Sequence, residues 1–535
     1  MAVPAPIPRQ LAPRPTARSR RVPQRAPAGR RGLVLAVVLL AALAINLDTT
    51  IVNVALPTLN VRLGSSTTGL QWVVDGYNLA FAALVLAGGN LGDRYGRRGA
   101  LAVGLALFAV TSLAAALCTS TGTLVAARFG MGAAAAVIYP TTLSVITNTF
   151  AERDKRAAAI GAWGAVSGLG VAVGPILGGA LLQEFWWGSI FLALIPVALL
   201  ALAGTWLAVP ASRDTARPPL DRAGLGLSVL LLGSLVYTII EAPGAGWLTA
   251  PTLGGFAVAA VALAGFVAVE RRHVFPLLDV RLFTNPRFSA ASAAVTFAFF
   301  ALFGFIFLIT QFMQQLQGHG PLGTGVRILP VAFSIAAGSV LGSRLAVARF
   351  GTKTVVAGGL LSLTAAFAWI GTISPSVPYP VIACQMVLLG GGLGLTSAPA
   401  TESIMGAVRP EQAGAGSAVN DATRQVGGTL GVAVLGSIFA SLYSQHLQRT
   451  GRLAGVPADL LEHARSSLGQ GLAVAAHTPP PLGAPLHDAV AAGFLSGLHA
   501  GGLTAAAVCA IGAAVVGLLL PNRPTKTLSP ESTAR

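Results

Sequence analysis

The sequence LDTTIVNVALP, residues 47–57, places a single carboxylate, Asp48, inside the first long apolar run of the chain, residues 33–59. Asp48 lies about 15 residues into this run, or roughly 22 Å along a helix, past the midplane of a hydrocarbon core about 30 Å thick. A charged side chain at that depth costs roughly 2.5–3.5 kcal/mol, so it usually faces a helix-bundle interior or a wet cavity. Asp48 is therefore predicted to carry protons; the alternative is a structural aspartate that hydrogen-bonds neighbouring helices.

The composition is far from that of a soluble protein. Of 535 residues, 54% are hydrophobic and only 10% are charged, whereas roughly a quarter of the residues in soluble domains are charged. A net charge of +17 would suggest nucleic-acid binding if the basic residues shared one soluble face, but they lie between apolar runs. We therefore predict an all-α polytopic membrane protein with no nucleic-acid partner.

Cysteines and histidines indicate no metal site. Cys118, Cys384 and Cys509 all fall inside apolar runs, and the seven histidines show no metal-ligand spacing. The sequence also contains no hydrolase motif and no paired catalytic carboxylates. It therefore predicts neither a metal centre nor an enzyme.

Fourteen apolar runs are long enough to span a bilayer. They are residues 33–55, 70–89, 100–119, 122–144, 158–182, 187–209, 223–242, 252–270, 289–314, 325–348, 353–373, 380–401, 417–441 and 490–520. Residues 1–32 contain eight arginines, seven prolines and no acidic residue, which predicts a disordered basic tail. The run behind this tail is too long for a signal-peptide core, so it is predicted to be an uncleaved first span.

The distribution of basic residues predicts the orientation. Of 35 lysines and arginines, 27 lie in the tails and in the even-numbered loops. Five lie in the opposite loops and three within spans, the latter being Arg128, Arg344 and Arg424. Positive-inside bias then places both termini in the cytoplasm. The low Lys content and the high Ala, Gly and Arg content suggest a GC-rich bacterial genome, and the predicted location is the inner (cytoplasmic) membrane.

The spans divide into two groups of six separated by two extra spans. We predict a bundle over residues 33–209, a linker with two extra transmembrane helices over 210–288, and a second bundle over 289–520. The second bundle includes a long outer loop, 442–489, with a helix-like stretch at 458–476, and residues 521–535 form a cytoplasmic tail. GGNLGDRYGRR (88–98) and GSRLAVARFGTK (342–353) follow the second span of each group, which suggests parallel six-span repeats.

Six motifs carry a resemblance to a known family. GNLGDRYGRRGAL (89–101) resembles a loop signature of the major facilitator superfamily, and LVAARFGMG (124–132) and GVAVGPILGG (170–179) resemble its fourth-span and fifth-span motifs. LDTTIVNVALP, PLLDVRLFTNPRF (276–288) and EQAGAGSAVNDATRQVGGTLGVAVLGS (411–437) are typical of its fourteen-span drug:proton antiporters, the EmrB/QacA type. WGSIFLALIP (187–196) departs from the usual sixth-span pattern. The resemblance implies a major facilitator fold, two six-helix bundles plus two extra central helices.

The resemblance also suggests two structural devices. The first is a gating loop containing Gly89, Asp93, Arg94, Gly96 and Arg97, in which Asp93 closes an inner gate against the other bundle. The alternative is solvated positive-inside charge.

The second device is the fifth-span antiporter motif. Gly170, Gly174, Pro175, Gly178 and Gly179 are spaced so that helices can approach closely, and the proline removes a backbone hydrogen bond and bends the helix. The motif is predicted to form a seam that blocks leakage through the cavity; the alternative is close packing alone.

Transport against a gradient needs an energy source, and the chain lacks a G-x-x-x-x-G-K-[ST] phosphate loop. The proton gradient is therefore the predicted energy source, and no cofactor is predicted. Asp48, Arg128 and Asp421 are the candidate proton-coupling residues. The guanidinium of Arg128 stays protonated and needs a partner, and Asp48 is predicted to be that partner because the first and fourth spans face one cavity in the resembled fold.

The substrate-cavity candidates are Asp75, Asp421 and Arg424. Asp421 and Arg424 lie three residues apart on one helical face, so Asp421 either carries a second proton, recognises a cationic substrate, or only neutralises Arg424. Asp75 lies near the outer end of the second span, where it is either a vestibule carboxylate or simply interfacial.

These features predict proton-coupled efflux of a lipophilic drug or antibiotic-like natural product, cationic molecules included. The alternatives are an exporter of an endogenous metabolite on the same fold and a non-transporting membrane receptor. The predicted partners are the lipid bilayer, a small-molecule substrate and protons, and the chain is predicted to be a monomer.

Overall fold

The structure is a computed structural model that describes residues 30–150, 152–212, 219–346, 350–408, 413–453 and 456–521. The predicted tails lie outside the described residues up to residue 29 and from residue 522 onward. The α-helices are α1 (Arg31–Leu63), α2 (Thr67–Tyr95), α3 (Arg97–Ala116), α4 (Thr121–Thr149), α5 (Arg153–Glu184), α6 (Ser189–Leu192), α7 (Leu194–Ala208), α8 (Arg222–Ala245), α9 (Ala250–Arg272), α10 (Pro286–Gln311), α11 (Pro321–Arg327), α12 (Leu329–Leu345), α13 (Gly351–Ile370), α14 (Tyr379–Gly406), α15 (Ala413–Leu453), α16 (Ala458–Ser466), α17 (Leu468–His477) and α18 (Gly483–Leu519).

Fourteen helical segments in the described part of the chain are long and apolar enough to cross a membrane. They coincide with the fourteen predicted runs, so the predicted number of spans is confirmed. The sixth span combines α6 and α7. The ninth continues from α10 into a π-helical turn, Phe312–Leu316, and the tenth combines α11 and α12.

Two bundles are built around four close helix pairs. In the first bundle, α1 packs on α5 and α2 packs on α4; in the second, α10 packs on α15 and α12 packs on α14. Glycines allow these backbones to approach: a Cβ at Gly132 in α4 would overlap the carbonyl oxygen of Tyr77 in α2. Local hydrophobicity therefore forms the spans, and small residues determine how closely they pack.

The two extra helices lie at the edge of the molecule. Helix α8 packs against α2 and α15, one helix from each bundle, and α9 packs mainly against α8. The two extra helices therefore lie between the bundles in the order of the sequence, but beside them in the fold.

A helical hairpin closes one end of the assembly, which we call the outer end; the opposite end, with the loop between α2 and α3, is the inner end. The helix-like stretch predicted at 458–476 is confirmed as α16 and α17, which are separated by Ser467. The Asn60 amide of α1 donates to Ser467 Oγ at 2.7 Å, and the Tyr443 hydroxyl donates to Ala464 O at 2.8 Å. The hairpin therefore bridges the outer ends of α1 and α15.

Candidate functional site

A cavity with about 750 Å³ of empty space lies between the two bundles. It combines aromatic, polar and charged side chains from α1, α2, α4, α5, α10 and α15. The lining residues are Ile45, Asn46, Thr49, Thr50, Asn53, Phe81, Tyr139, Val171, Phe299, Leu302, Phe303, Ile306, Asp421, Arg424 and Gln425.

Two of the predicted cavity residues, Asp421 and Arg424, do line this cavity. Arg424 Nη2 donates to Thr401 Oγ1 at 3.3 Å, and its guanidinium lies 5.2 Å from the centre of the Phe299 ring. No ion pair within 4 Å joins Asp421 to Arg424 in the described part of the chain. Both charges therefore face the cavity without being paired to each other in this conformation.

Asp48 and Arg128 form an ion pair inside the first bundle. Arg128 Nη1 lies 2.6 Å from Asp48 Oδ1, and both side chains are buried. Arg128 Nε also donates to Val73 O at 3.0 Å, and its guanidinium lies 4.4 Å from the centre of the Tyr77 ring. The structure thus brings together the two residues that the sequence predicts as partners.

This ion pair lies directly behind the cavity wall. Asn46, Thr49 and Thr50 of α1 line the cavity, whereas Asp48 between them points into the bundle. Among the described residues, Asp48 Oδ2 has no hydrogen-bond partner. A proton added there would weaken the attraction to Arg128 without any direct contact to a molecule in the cavity.

Met131 stands where the fourth-span motif usually has a polar residue. Its Sδ atom lies 4.0 Å from Arg128 Nη1. Asp48, the Val73 carbonyl and the Tyr77 ring supply the contacts of the guanidinium instead.

Asp75, the third predicted cavity residue, does not line the cavity. Gln71, one turn before it, donates to the backbone of α15 at Ala433 O (3.1 Å), and Leu79, one turn after it, packs in a cluster with Ile239 of α8. Residues four apart share a helical face, so Asp75 faces the junction of α2, α8 and α15. It is fully buried, and neither carboxylate oxygen has a hydrogen-bond partner among the described residues.

The glycines of the antiporter motif pack α5 directly on α1. A Cβ at Gly170 would meet Asn46, and one at Gly174 would overlap the Thr50 hydroxyl. That hydroxyl lies 3.2 Å from the Gly170 carbonyl and donates to it. Helices α1 and α5 therefore meet along the stretch that also carries Asp48.

The same motif also meets the second bundle. A Cβ at Gly179 would meet the backbone of Pro321 and Leu322, and a Cβ at Gly325 in α11 would overlap Pro175 O. The contact between α5 and α11 is thus backbone against backbone. This geometry is the tight seam that the motif predicts, and its role in preventing leakage stays a prediction.

The predicted gating loop makes its contacts within the first half of the chain. Arg97 Nε donates to Asp93 Oδ1 at 2.8 Å, and Arg97 N donates to Ser212 O at 2.9 Å. Gly96 has a φ of 117°, a conformation that L side chains rarely adopt. Among the described residues, Asp93 makes no hydrogen bond or ion pair with the second bundle, so its gating role also stays a prediction.

Polar side chains join the two bundles at the outer end. Gln71 bonds to α15 as described above, and Gln314 Nε2 donates to Val54 O at 2.9 Å. At the inner end, no hydrogen bond or ion pair between described side chains joins the two bundles. The structure is closed at the outer end, and polar contacts between the described side chains do not close the inner end.

Some cavity residues were missed by sequence reasoning. Phe299, Phe303 and Ile306 lie in the aromatic part of the ninth span, residues 297–312, where the sequence is compatible with cavity-lining side chains but equally with lipid-facing or packing ones. Their spacing of four and three residues marks one helical face. This shared face identifies the three residues as cavity-lining only once the position of the cavity is known.

Comparison with known proteins identifies the family. A model of the Major Facilitator Superfamily matches residues 38–432. The chain is 36% identical to the multidrug efflux pump LfrA of Mycolicibacterium smegmatis, over 91% of this chain and 96% of that protein. It is 35% identical to the puromycin resistance protein pur8 of Streptomyces alboniger, over 82% and 87%.

The fold is also found in solved structures. An inward-facing, unoccupied bacterial homolog of the human lysosomal transporter Spinster aligns with a TM-score of 0.63 at 19% identity, over 94% of this chain and 100% of that one. A D-xylose-proton symporter aligns with a TM-score of 0.57 at 15% identity, over 92% and 98%. The chain therefore belongs to the major facilitator superfamily, and it is a multi-pass membrane transporter rather than an enzyme.

Proposed function

We propose that this protein exports lipophilic drugs or antibiotic-like natural products across the cytoplasmic membrane in exchange for protons. The observation that carries the proposal is the buried Asp48–Arg128 ion pair, which lies directly behind the wall of a large cavity. The names of its relatives support export: multidrug efflux for LfrA and puromycin resistance for pur8.

Protonation of Asp48 is the proposed coupling step. Burial away from water disfavours the charged form of a carboxyl group, whereas a nearby guanidinium favours that charged form. Loss of the Arg128 contact on protonation would leave the guanidinium with Val73 O and the Tyr77 ring. The protonated and ionised states therefore favour different arrangements of α1 against α2 and α4.

The glycine contacts give that change a route to the outer seam. Helix α1 touches α5 at Gly170 and Gly174, and α5 touches α11 at Gly179. Because α1 and α5 are packed with no space between their backbones, a shift of α1 near Asp48 displaces α5 as well. The proton site and the closed outer end are thereby linked through one helix.

The cavity suggests the substrate class. Phe81, Phe299, Phe303 and Tyr139 offer apolar and aromatic surface, and Asp421 offers a carboxylate that no described cation pairs within 4 Å. Lipophilic aromatic molecules fit such a lining, and a cationic group on the molecule would pair with Asp421. A neutral substrate gains nothing from that residue.

The proton gradient supplies enough energy. One charge moving through 100 mV releases about 2.3 kcal/mol, which supports roughly a fifty-fold gradient of a neutral solute. One-for-one exchange with a monocation is electroneutral and uses only the pH difference. A second titrating carboxylate, Asp421, would restore the contribution of the membrane potential.

The orientation follows from the positive-inside bias, with both termini in the cytoplasm and the α16–α17 hairpin outside. We propose that in this orientation the structure corresponds to an inward-open state, since the polar contacts that join the two bundles among the described residues lie at the outer end. We further propose that the transporter is a monomer, and that Asp93 contacts the second bundle in the outward-open state.

Export from vesicles with an imposed proton gradient tests the function. We expect uphill movement of a lipophilic dye to stop when a protonophore is added and to be indifferent to ATP. Transport that requires ATP hydrolysis while the gradient is clamped at zero would overturn the proposal. Omission of the protein from otherwise identical vesicles controls for passive leakage.

A further inference from the structure

The segment 271–288 runs from the end of α9 into the first turn of α10. It contains the PLLDVRLFTNPRF motif and takes no part in the cavity or the seam. It includes a short 3-10 helix, Val280–Thr284. It follows the peripheral helix α9, most of whose side chains are exposed. The segment therefore lies where a membrane-exposed helix meets the inner end of the protein.

Hydrogen bonds hold this segment in a defined shape. Leu278 N donates to Glu270 Oε2 at 3.1 Å, and Arg281 Nη2 donates to Arg271 O at 2.9 Å. The Phe283 ring meets the Phe288 ring edge-on, with centres 5.1 Å apart. The segment is thus pinned to the ends of both α9 and α10.

The exposed surface of the segment is both basic and apolar. Arg271, Arg272 and Arg281 are exposed, and next to them Val274 is 83% exposed and Phe275 is 50% exposed. None of the three arginines makes an ion pair within 4 Å with a described acid. Three uncompensated positive charges therefore flank an apolar patch.

Two of the three acidic residues near this surface are buried. Asp221 and Glu270 are both only 2% exposed, and Asp221 accepts the Gly224 N–H at 2.8 Å. Asp279 accepts the Arg281 N–H at 3.1 Å, as a cap of the 3-10 helix. The exposed surface therefore carries three arginines and one acid, Asp279, which is only partly exposed.

We propose that this surface binds the phosphate groups of anionic phospholipids, with Val274 and Phe275 inserted at the boundary of the acyl chains. Guanidinium groups match phosphate oxygens in a two-point geometry, and basic residues beside a span attract anionic headgroups. A soluble acidic partner would use the arginines but would have no need of apolar side chains at the end of a lipid-facing helix. The choice of the cytoplasmic leaflet rests on the proposed orientation; the binding itself does not.

Binding of acyl-labelled phosphatidylglycerol to the full-length protein in a neutral detergent, followed by fluorescence anisotropy, tests the proposal. The triple variant Arg271→Gln, Arg272→Gln, Arg281→Gln should bind about a hundredfold more weakly, since each arginine near anionic lipid contributes a factor of roughly five. Equally labelled phosphatidylcholine should bind weakly to both proteins. The pair Val274→Ser, Phe275→Ser should weaken binding with all arginines present.

A matched triple variant, Lys155→Gln, Arg156→Gln, Lys353→Gln, removes the same charge from the first turns of α5 and α13 and should bind phosphatidylglycerol as the parent protein does. If both triple variants lose the same amount of phosphatidylglycerol binding, then net charge alone explains the loss, and the proposal is overturned. Displacement of the lipid by excess inorganic phosphate would assign the site to a free anion and would also overturn it. If the triple variant does not fold, Arg272→Gln alone decides, because its guanidinium bonds to no described residue; unchanged binding then refutes the site.

Discussion

Arg128 Nη1 lies 2.6 Å from Asp48 Oδ1, and neither side chain lines the cavity that lies one residue away along α1. Proton exchange and substrate binding can therefore use different atoms of one helix. A substrate at Thr49 would influence Asp48 through the position of α1 rather than by contact. This separation allows chemically different molecules to be exchanged for the same proton.

Asp48→Asn should abolish uphill export of every substrate while downhill exchange through the cavity persists. The asparagine keeps an acceptor for Arg128 but cannot titrate. The measurement is dye movement in vesicles with and without an imposed proton gradient. Full uphill export by this variant would remove Asp48 as the proton carrier.

Removal of Arg128, the other member of the ion pair, should lower the stability of the protein. Arg128→Leu leaves a buried carboxylate without its cation, which typically costs about 3–5 kcal/mol. We expect a large loss of folded protein in the membrane and partial recovery in the double variant with Asp48→Asn. Quantitative immunoblotting and thermal unfolding in detergent provide the readout. Normal levels of the single variant would contradict the importance of the pair.

Asp421→Asn should impair export of cationic substrates and spare neutral ones. Because no ion pair joins Asp421 to Arg424 here, we expect nearly normal protein levels. The comparison needs a cationic and a neutral substrate of similar size. A scarce protein that is rescued by the additional change Arg424→Gln would favour mutual neutralisation after all.

Gly174→Ala should destabilise the α1–α5 contact. The new Cβ would overlap the Thr50 hydroxyl, and overpacking of this kind costs about 1–3 kcal/mol. Gly168→Ala, on the same helix, is the matched control because its Cβ would meet nothing within 4 Å. Thermal unfolding in detergent should separate the two variants, and equal unfolding temperatures would argue against a tight seam.

Asp93→Asn should slow turnover and leave substrate affinity nearly unchanged. Among the described residues, Asp93 bonds only to Arg97, a partly exposed pair four residues apart, which contributes no more than about 0.5 kcal/mol. Slower transport without a change in stability would therefore report a contact made in another state. Unchanged transport would favour a purely topological role for these charges, to which acidic residues contribute little.

The sequence alone determined the number and order of the spans and the most consequential buried charge. Hydrophobicity is a property of about 20 consecutive residues, so each span can be recognised without knowledge of its neighbours. The depth of Asp48 follows from the same count. Its pairing with Arg128 required one addition, the resemblance that places the first and fourth spans around one cavity.

Only the tertiary structure decided which face of each helix meets which partner. Asp75 has the sequence context of a vestibule residue, yet its face of α2 packs toward α8 and α15. Asp421 and Arg424 share a helical face but are not paired, because Arg424 bonds to Thr401 and lies against the Phe299 ring. These outcomes depend on residues more than a hundred positions away or on another helix. They cannot be predicted from a short stretch of sequence, because packing between helices that are distant in the chain determines each side chain's rotamer and its contact partner.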